Sequence, residues 1–252
     1  MIVVSASRGV VEEGEPVFRA DDEALLRGAA AFETIRVHDG RPFLLDEHLA
    51  RFRWSAASLA LPPVEGVEPL VGQIAEGDGV LRLYRTSFDL VATFTGLPPG
   101  LEEQRAKGLR LQTFDIGTPT MLEGVKVTSY AYALAARRSA ERTGADDALF
   151  LSGGEVLECA TANLWWRKGE RLHTPKVRPG VLPGVIRGFV RTREDVAEGS
   201  FALDDLLAAD EAFTTSSIRE VMPVVAVDGV PVGDGRPGAA AARLQAAIRS
   251  AA

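Results

Sequence analysis

Four glycine-bearing pairs, Asp39-Gly40, Gly153-Gly154, Lys168-Gly169 and Asp228-Gly229, each separate two strand-like runs. Such pairs supply the positive φ that a tight reversal between strands needs. Helical stretches fall between groups of these strands instead of following every strand. The chain therefore reads as α+β layers and not as a doubly wound sheet.

The first half opens on AAFETIRVHDGRPFLL, two strands around Asp39-Gly40. Asp46 is placed to cap a helix, EHLARFRWSAASLAL, in which Leu49, Phe52, Ser55 and Leu59 recur at helical spacing. Leu61-Pro62-Pro63 ends it, and a second helix over 64–76 leads into GVLRLYRTSFDLVATFTGL, two further strands. A strand at 109–114 and the break Gly117-Thr118-Pro119 divide the chain. The reading is a small N-terminal α+β domain over 1–114, a linker over 115–120 and a larger domain over 121–252. The second domain starts with a helix in SYAYALAARRSAERTG, closed by Gly144. Strands at 148–151, 156–159, 163–167 and 172–174 follow, then helices from about 183 and over 203–208, and an Ala-rich helix at the end.

At 252 residues the chain has material for two small domains, and 46% apolar with 25% charged residues is ordinary for a globular protein. A net charge of −7 without a Lys/Arg cluster argues against a nucleic-acid surface. One cysteine, Cys159, permits no intrachain disulfide and suits a reducing compartment. The opening MIVVSASRGVVEEGEP has neither a basic n-region nor an apolar h-region, and no apolar run approaches a bilayer span. A cytoplasmic protein with small-molecule partners is expected, with no nucleic acid and no membrane. No metal site is expected.

The chemistry concentrates between Lys126 and Arg187, in VKVTSYAYAL, EVLECATANLWWRKG and LPGVIR. A lysine amine can form a Schiff base, a carboxylate can keep a pyridine nitrogen protonated, and a Leu-Pro-Gly turn opening a helix can bind phosphate. With EHLARFRWSAASL these motifs, in this order, resemble the class IV aminotransferase family over roughly residues 24–224. That family holds branched-chain and D-amino-acid transaminases and aminodeoxychorismate lyase. The resemblance implies a two-domain fold of type IV, pyridoxal 5'-phosphate in the cleft between domains, and a homodimer. Among four lysines (Lys107, Lys126, Lys168 and Lys176), Lys126 alone stands in the family frame and is the implied catalytic residue. The resemblance also puts Glu158 on the pyridine nitrogen and Arg51 on the phosphate, beside the amides of Val185 and Ile186. Leu182 packs on the ring, Ser217 and the Ile218 amide complete the phosphate cradle, and Tyr130 lies near the phenolic oxygen. Asn163 supports the Glu158 segment or is a turn residue. His48 reads as a structural hydrogen-bonder.

Phe32 and Glu33 match the family's strand along the substrate pocket. Thr214-Thr215-Ser216-Ser217 reads as a hydroxyl-rich loop, with Thr215 and Ser216 near substrate. The best-known D-amino-acid transaminases carry an arginine several residues after a run like LRLYRTS, and SFDLVATFTG has none. Ser217 stands where the lyase pattern has asparagine, yet CATANLWWRKG resembles the lyase's glutamate motif. Arg27, Arg82 and Arg85 are left either to bind the substrate carboxylate or to sit at strand ends in solvent. Arg82 and Arg85, three apart on a strand, face opposite sides, so at most one enters the pocket. The reading is a transaminase moving an amino group, from a D-amino acid by preference, to a 2-oxo acid such as 2-oxoglutarate or pyruvate. The lyase is the alternative, with branched-chain L-amino-acid and (R)-amine transaminases behind it.

Overall fold

The computed structural model describes residues 1–119 and 124–252. Thr120, where the expected linker ends, and residues 121–123, with which the expected second domain opens, lie outside the described residues. The contacts divide the chain into two compact units. The first comprises Met1–Pro98, Val125–Tyr130 and the terminal Ala252, and the second Pro99–Gly124 with Ala131–Ala251.

In the first unit the elements run β1 (Ile2–Ser5), β2 (Gly9–Val10), α1 (Glu23–Arg27), β3 (Ala31–His38), β4 (Arg41–Pro42), α2 (Leu45–Ser58), α3 (Val67–Val71), β5 (Gly79–Arg85) and β6 (Leu90–Thr95). The strands form an antiparallel sheet in the order β2-β1-β6-β5-β3-β4. Asp39 and Gly40 take φ of 46° and 77°, the pair of left-handed residues a two-residue hairpin needs, and β3 and β4 pair across them. Every second residue of β3, namely Ala31, Glu33, Ile35 and Val37, is buried. That face packs with Leu49, Phe52 and Ala56 of α2. Phe32, Thr34 and Arg36 take the other face. The helix does not start at Asp46. The chain enters it through Leu44 at φ 53°, and Asp46 and Glu47 occupy its first turn, where their charge suits the helix dipole. Of the helix expected over 64–76, only Val67–Val71 is helical.

The segment 125–130 joins this unit through backbone bonds. Phe32 N–H donates to the Lys126 carbonyl at 3.2 Å and Thr128 N–H to the Ala30 carbonyl at 3.0 Å, while Ala31 bridges Val127. The sequence pattern, by contrast, places Lys126 in the larger domain.

The second unit holds α4 (Leu101–Lys107), β7 (Leu109–Asp115), α5 (Ala131–Arg142), β8 (Asp147–Ser152), β9 (Glu155–Cys159), β10 (Asn163–Lys168), β11 (Arg171–Pro175), α6 (Val185–Arg191), β12 (Val196–Gly199), α7 (Leu203–Leu207), β13 (Glu211–Ser216), β14 (Glu220–Val227), β15 (Val230–Pro231) and α8 (Ala239–Ala251). Its sheet runs β12-β11-β10-β13-β14-β7-β8-β9, with β15 on β14. The β14–β7, β7–β8 and β11–β12 pairs are parallel. Thus β7, read from sequence as the last strand of the first domain, pairs inside the second sheet. Thr214 to Ser216, read as a loop, are the end of β13. Cys159 lies in the core of this sheet with Leu149, Leu164 and Met222, and burial pushes its thiol pKa well up. Among the described residues no helix is long and apolar enough to cross a membrane.

Gly28 closes α1 at φ 67°, and a Cβ there would stand 2.9 Å from the Ser129 backbone. Gly28→Ala is expected to destabilise the protein by about 1–3 kcal/mol through strain and displacement of the 125–130 segment. Gly66 also has positive φ, at 69°, but nothing lies within 4 Å of its virtual Cβ, so Gly66→Ala should lower the thermal midpoint less. Equal shifts would mean that the Ser129 contact carries no weight.

Candidate active site

In the first unit the Lys126 amine stands over the Phe32 ring, 4.2 Å from its centroid, and lies 3.2 Å from the Tyr130 hydroxyl. Phe32 meets Tyr130 edge-on at 5.3 Å and stacks with Tyr84 at 6.3 Å. The Lys126 N–H donates to Ser55 Oγ at 3.0 Å. Ser55 shares a helix face with His48 and Arg51, at spacings of three and four. Arg51 clasps Glu33 bidentately, Nε to Oε1 at 2.7 Å and Nη2 to Oε2 at 2.8 Å. His48 Nδ1 lies 2.7 Å from Glu33 Oε2.

Burial pushes the Glu33 carboxyl up, but the charge and hydrogen bonds of Arg51 with the hydrogen bond of His48 outweigh it and leave the pKa at about 2. Burial pulls His48 down despite Glu33, helped by the charges of Arg51 and Lys126. His48 is therefore neutral and donates from Nδ1 to an ionised carboxylate. Glu33, expected along the substrate pocket, turns instead to the core side of β3, because the strand's alternation puts it opposite to Phe32.

The three arginines separate by their surroundings. Arg27 is two-thirds exposed on α1 and paired with Glu23. Arg85 donates from Nε to the Pro62 carbonyl at 2.9 Å, tying β5 to the chain beyond α2. Arg82 shares the sheet face of Phe32 and Tyr84, since Thr34 pairs with Arg82 and Phe32 with Tyr84, and it donates to Thr95 Oγ1 at 3.2 Å. Arg36, which the sequence reading did not consider, lies on that face by its place on β3. Its signal was the alternation itself.

In the second unit Glu158 Oε2 accepts from Asn163 Nδ2 at 2.8 Å and from the Leu182 N–H at 2.9 Å. Asn163 Nδ2 also reaches the Leu182 carbonyl at 2.8 Å, so Asn163 supports the glutamate and is not a turn residue. Gly184 lies against this group. A Cβ there would come within 2.0 Å of Asn163 Oδ1, so the Leu-Pro-Gly turn can approach only without a side chain. Val185 and Ile186 form the first turn of α6, where backbone N–H groups have no partner within the helix. Tyr132, a residue that sequence reasoning missed, packs on Phe150 with the rings tilted by 34° and centroids 4.9 Å apart; burial and the Glu158 charge raise its phenol to about 12. Thr215 is buried, and its Oγ1 accepts from Trp165 Nε1 at 2.9 Å, a structural engagement. Ser216 Oγ accepts from the Arg219 N–H at 3.4 Å, while Ser217 and Ile218 form the turn into β14.

In the first unit an amine over a ring face suits a carbonyl with which it can condense. In the second, a carboxylate oriented by two donors beside a glycine turn suits a basic ring nitrogen. Among the described residues no group of three or more His, Cys, Asp or Glu could hold a metal ion. The family model for class IV amino-transferases matches residues 30–227. The chain is 27% identical to the aminodeoxychorismate lyase of Bacillus subtilis, over 93% of this chain and 89% of that one. It is 27% identical to the D-alanine aminotransferase of Bacillus licheniformis, over 96% and 94%. A solved structure of a hypothetical aminotransferase from Mycobacterium tuberculosis, in a form with pyridoxal phosphate bound, superposes with a TM-score of 0.88 at 25% identity, covering 100% of this chain and 98% of that one. The chain belongs to the class IV aminotransferases. It is an enzyme with the type IV fold of pyridoxal phosphate enzymes, and pyridoxal 5'-phosphate is its cofactor.

The buried triad sets the acid response. His48 and Glu33 both have lowered pKa values, so the unfolded chain takes up each proton first and falling pH favours unfolding. Stability should begin to fall below about 6.5 through His48, then drop further from about 4.5 to about 2 through Glu33. The Glu33 part is on the order of 3 kcal/mol, from 1.36 kcal/mol per unit. Urea melts of the apo-protein against pH test this, and a Glu33→Gln variant with an unchanged acid limb would refute it.

Proposed function

We propose that this enzyme is a transaminase that takes the amino group of an amino acid, a D-amino acid by preference, and passes it to a 2-oxo acid. The observation that carries the reading is the Lys126 amine, held between the Phe32 face and the Tyr130 hydroxyl, with Arg82 on the Phe32 side of the sheet. Pyridoxal phosphate, when bound, supplies an aldehyde for exchange with amines and a ring that accepts the electrons released at the substrate Cα. Lys126 Nζ would take the Cα proton and hold it for return across the substrate nitrogen, with Tyr130 orienting the amine. Glu158, fixed by Asn163 and the Leu182 N–H, keeps a proton on the ring nitrogen. Arg51, the Val185 and Ile186 amides, Ser217 and the Ile218 amide hold the phosphate, and Leu182 packs on the ring. Arg82 takes the substrate carboxylate. Arg85 donates to the Pro62 carbonyl and Arg27 stands exposed beside Glu23, and neither is placed on the Phe32 face of the sheet.

Lyase chemistry on aminodeoxychorismate is the second reading, favoured by the Bacillus subtilis relative and the CATANLWWRKG motif. Phe18, Leu25, Leu26, Trp54 and Phe88 are exposed apolar residues of the first unit, which a second copy in a homodimer would cover. Sedimentation as a monomer at working concentration would count against that. A cytoplasmic location belongs to the same proposal, since one cysteine leaves no intrachain disulfide.

Mixing the holoenzyme with D-alanine or D-glutamate, without an oxo acid, should convert its visible band to that of the pyridoxamine form. Borohydride before the mixing should trap cofactor on Lys126. A band that persists while aminodeoxychorismate is consumed would assign the lyase instead. Glu158→Gln should leave cofactor attachment intact but slow the half-reaction roughly a hundredfold, through loss of one ion pair in a desolvated site. A Glu158→Gln enzyme of near-native rate would take Glu158 out of the mechanism.

A further inference from the structure

Glu33 occupies a core position. Its neighbours on the buried side of β3 are Ala31, Ile35 and Val37, and its own exposure is 0%. A carboxylate taken there from water is costly, and a buried ion pair is often no better for stability than apolar residues of the same volume. The geometry of the pair is more telling than its energy. Glu33 engages the Nε–Nη2 edge of Arg51 with both oxygens, at 2.7 and 2.8 Å. Because a guanidinium is planar, a carboxylate on that edge fixes the plane and directs the Nη1 side away from Glu33. His48 Nδ1, at 2.7 Å from Oε2, fixes the carboxylate in turn.

The same two elements fix the lysine. The Lys126 N–H is bound by Ser55 of α2, at 3.0 Å, and its carbonyl by the N–H of Phe32 on β3, at 3.2 Å. Phe32 is the residue next to Glu33. Ser55 is four residues beyond Arg51, about 6 Å along the helix axis. The guanidinium and the backbone of the lysine are therefore both tied to β3 and to α2, at adjoining points.

We infer that Glu33 is a positioning residue: with His48 behind it, it locks the Arg51 guanidinium at a set orientation and reach from Lys126, so that the phosphate of the cofactor is bound where its aldehyde meets the amine. The inference rests on the reading of Arg51 as a phosphate ligand. Glu33, wholly buried, offers no surface to a ligand and acts through Arg51.

The test compares apo-enzyme binding of pyridoxal phosphate and of pyridoxal, which lacks the phosphate, by absorbance titration. The dissociation constant of pyridoxal divided by that of pyridoxal phosphate isolates what the phosphate contributes. Arg51→Ala should lower the ratio about ten- to a hundredfold, the worth of a hydrogen-bonded charge pair. Glu33→Gln should lower it by roughly tenfold or more, by weakening pyridoxal phosphate while pyridoxal binding stays within about threefold. In an Arg51→Ala background Glu33→Gln should change the ratio no further, because its effect passes through Arg51. Glu33→Asp, which keeps the charge but retracts it, should lose the ratio too, and His48→Asn, which keeps a donor, should retain more of it than His48→Ala. These variants decide the matter if Glu33→Gln does not fold. A ratio that persists or rises in Glu33→Gln or Glu33→Asp while Arg51→Ala loses it would overturn the inference and keep Arg51 on the phosphate. A ratio that survives Arg51→Ala would overturn the reading of Arg51 itself.

Discussion

Lys126 is held at both ends of its peptide before its side chain does anything. Its N–H and its carbonyl are bound by residues 71 and 94 positions away, on a helix and a strand that are themselves packed together. Each such bond contributes only about 1 kcal/mol. Their combined effect is geometric, because the amine can move only through its own side-chain torsions. Phe32 and Tyr130 then restrict those torsions, one with a ring face and the other with a hydroxyl. The site in the first unit thus depends on segment 125–130 returning to the sheet from which the chain has already departed.

The second unit solves a different problem, which is to aim a carboxylate. Glu158 sits on β9, but the groups that orient it come from β10 and from the chain ahead of α6. Asn163 serves both, binding Glu158 and the Leu182 carbonyl through one amide nitrogen. That sharing links the glutamate to the turn that presents the Val185 and Ile186 amides. A displacement of the turn therefore reaches the carboxylate.

What could be read in the sequence was local. Asp39-Gly40 announces its hairpin because positive φ at both positions is a property of two residues, and α2 follows from apolar spacing. Order along the chain singles out Lys126, Glu158, Asn163 and Leu182 as candidates, but not that the Leu182 N–H and Asn163 would together hold Glu158. The membership of Lys126 in the first unit, and of β7 in the second sheet, was not, because both follow from pairing between distant residues, which no local pattern encodes. Thr214 to Ser216 were read as a loop from their hydroxyls. They form a strand because threonine is β-branched and Thr215 Oγ1 accepts the indole N–H of Trp165. Alternation correctly set Arg82 and Arg85 on opposite faces, but which face carries Phe32 needed the register of β3 against β5. Glu33 was misplaced for the converse reason. The motif sets it beside Phe32 along the substrate pocket, whereas adjacent strand residues face opposite sides, and the partners that hold it in the core lie fifteen and eighteen residues on.

Cys159 gives the protein an experimental property that has nothing to do with its chemistry. The reactive form of a cysteine is the thiolate, and here burial suppresses both ionisation and access. The chain therefore behaves toward maleimides and mild oxidants as though it had no cysteine. A single new cysteine at an exposed position such as Lys168 would be the one addressable thiol, without any need to remove the native one. A fluorophore or spin label could then be attached at one defined point of the folded enzyme.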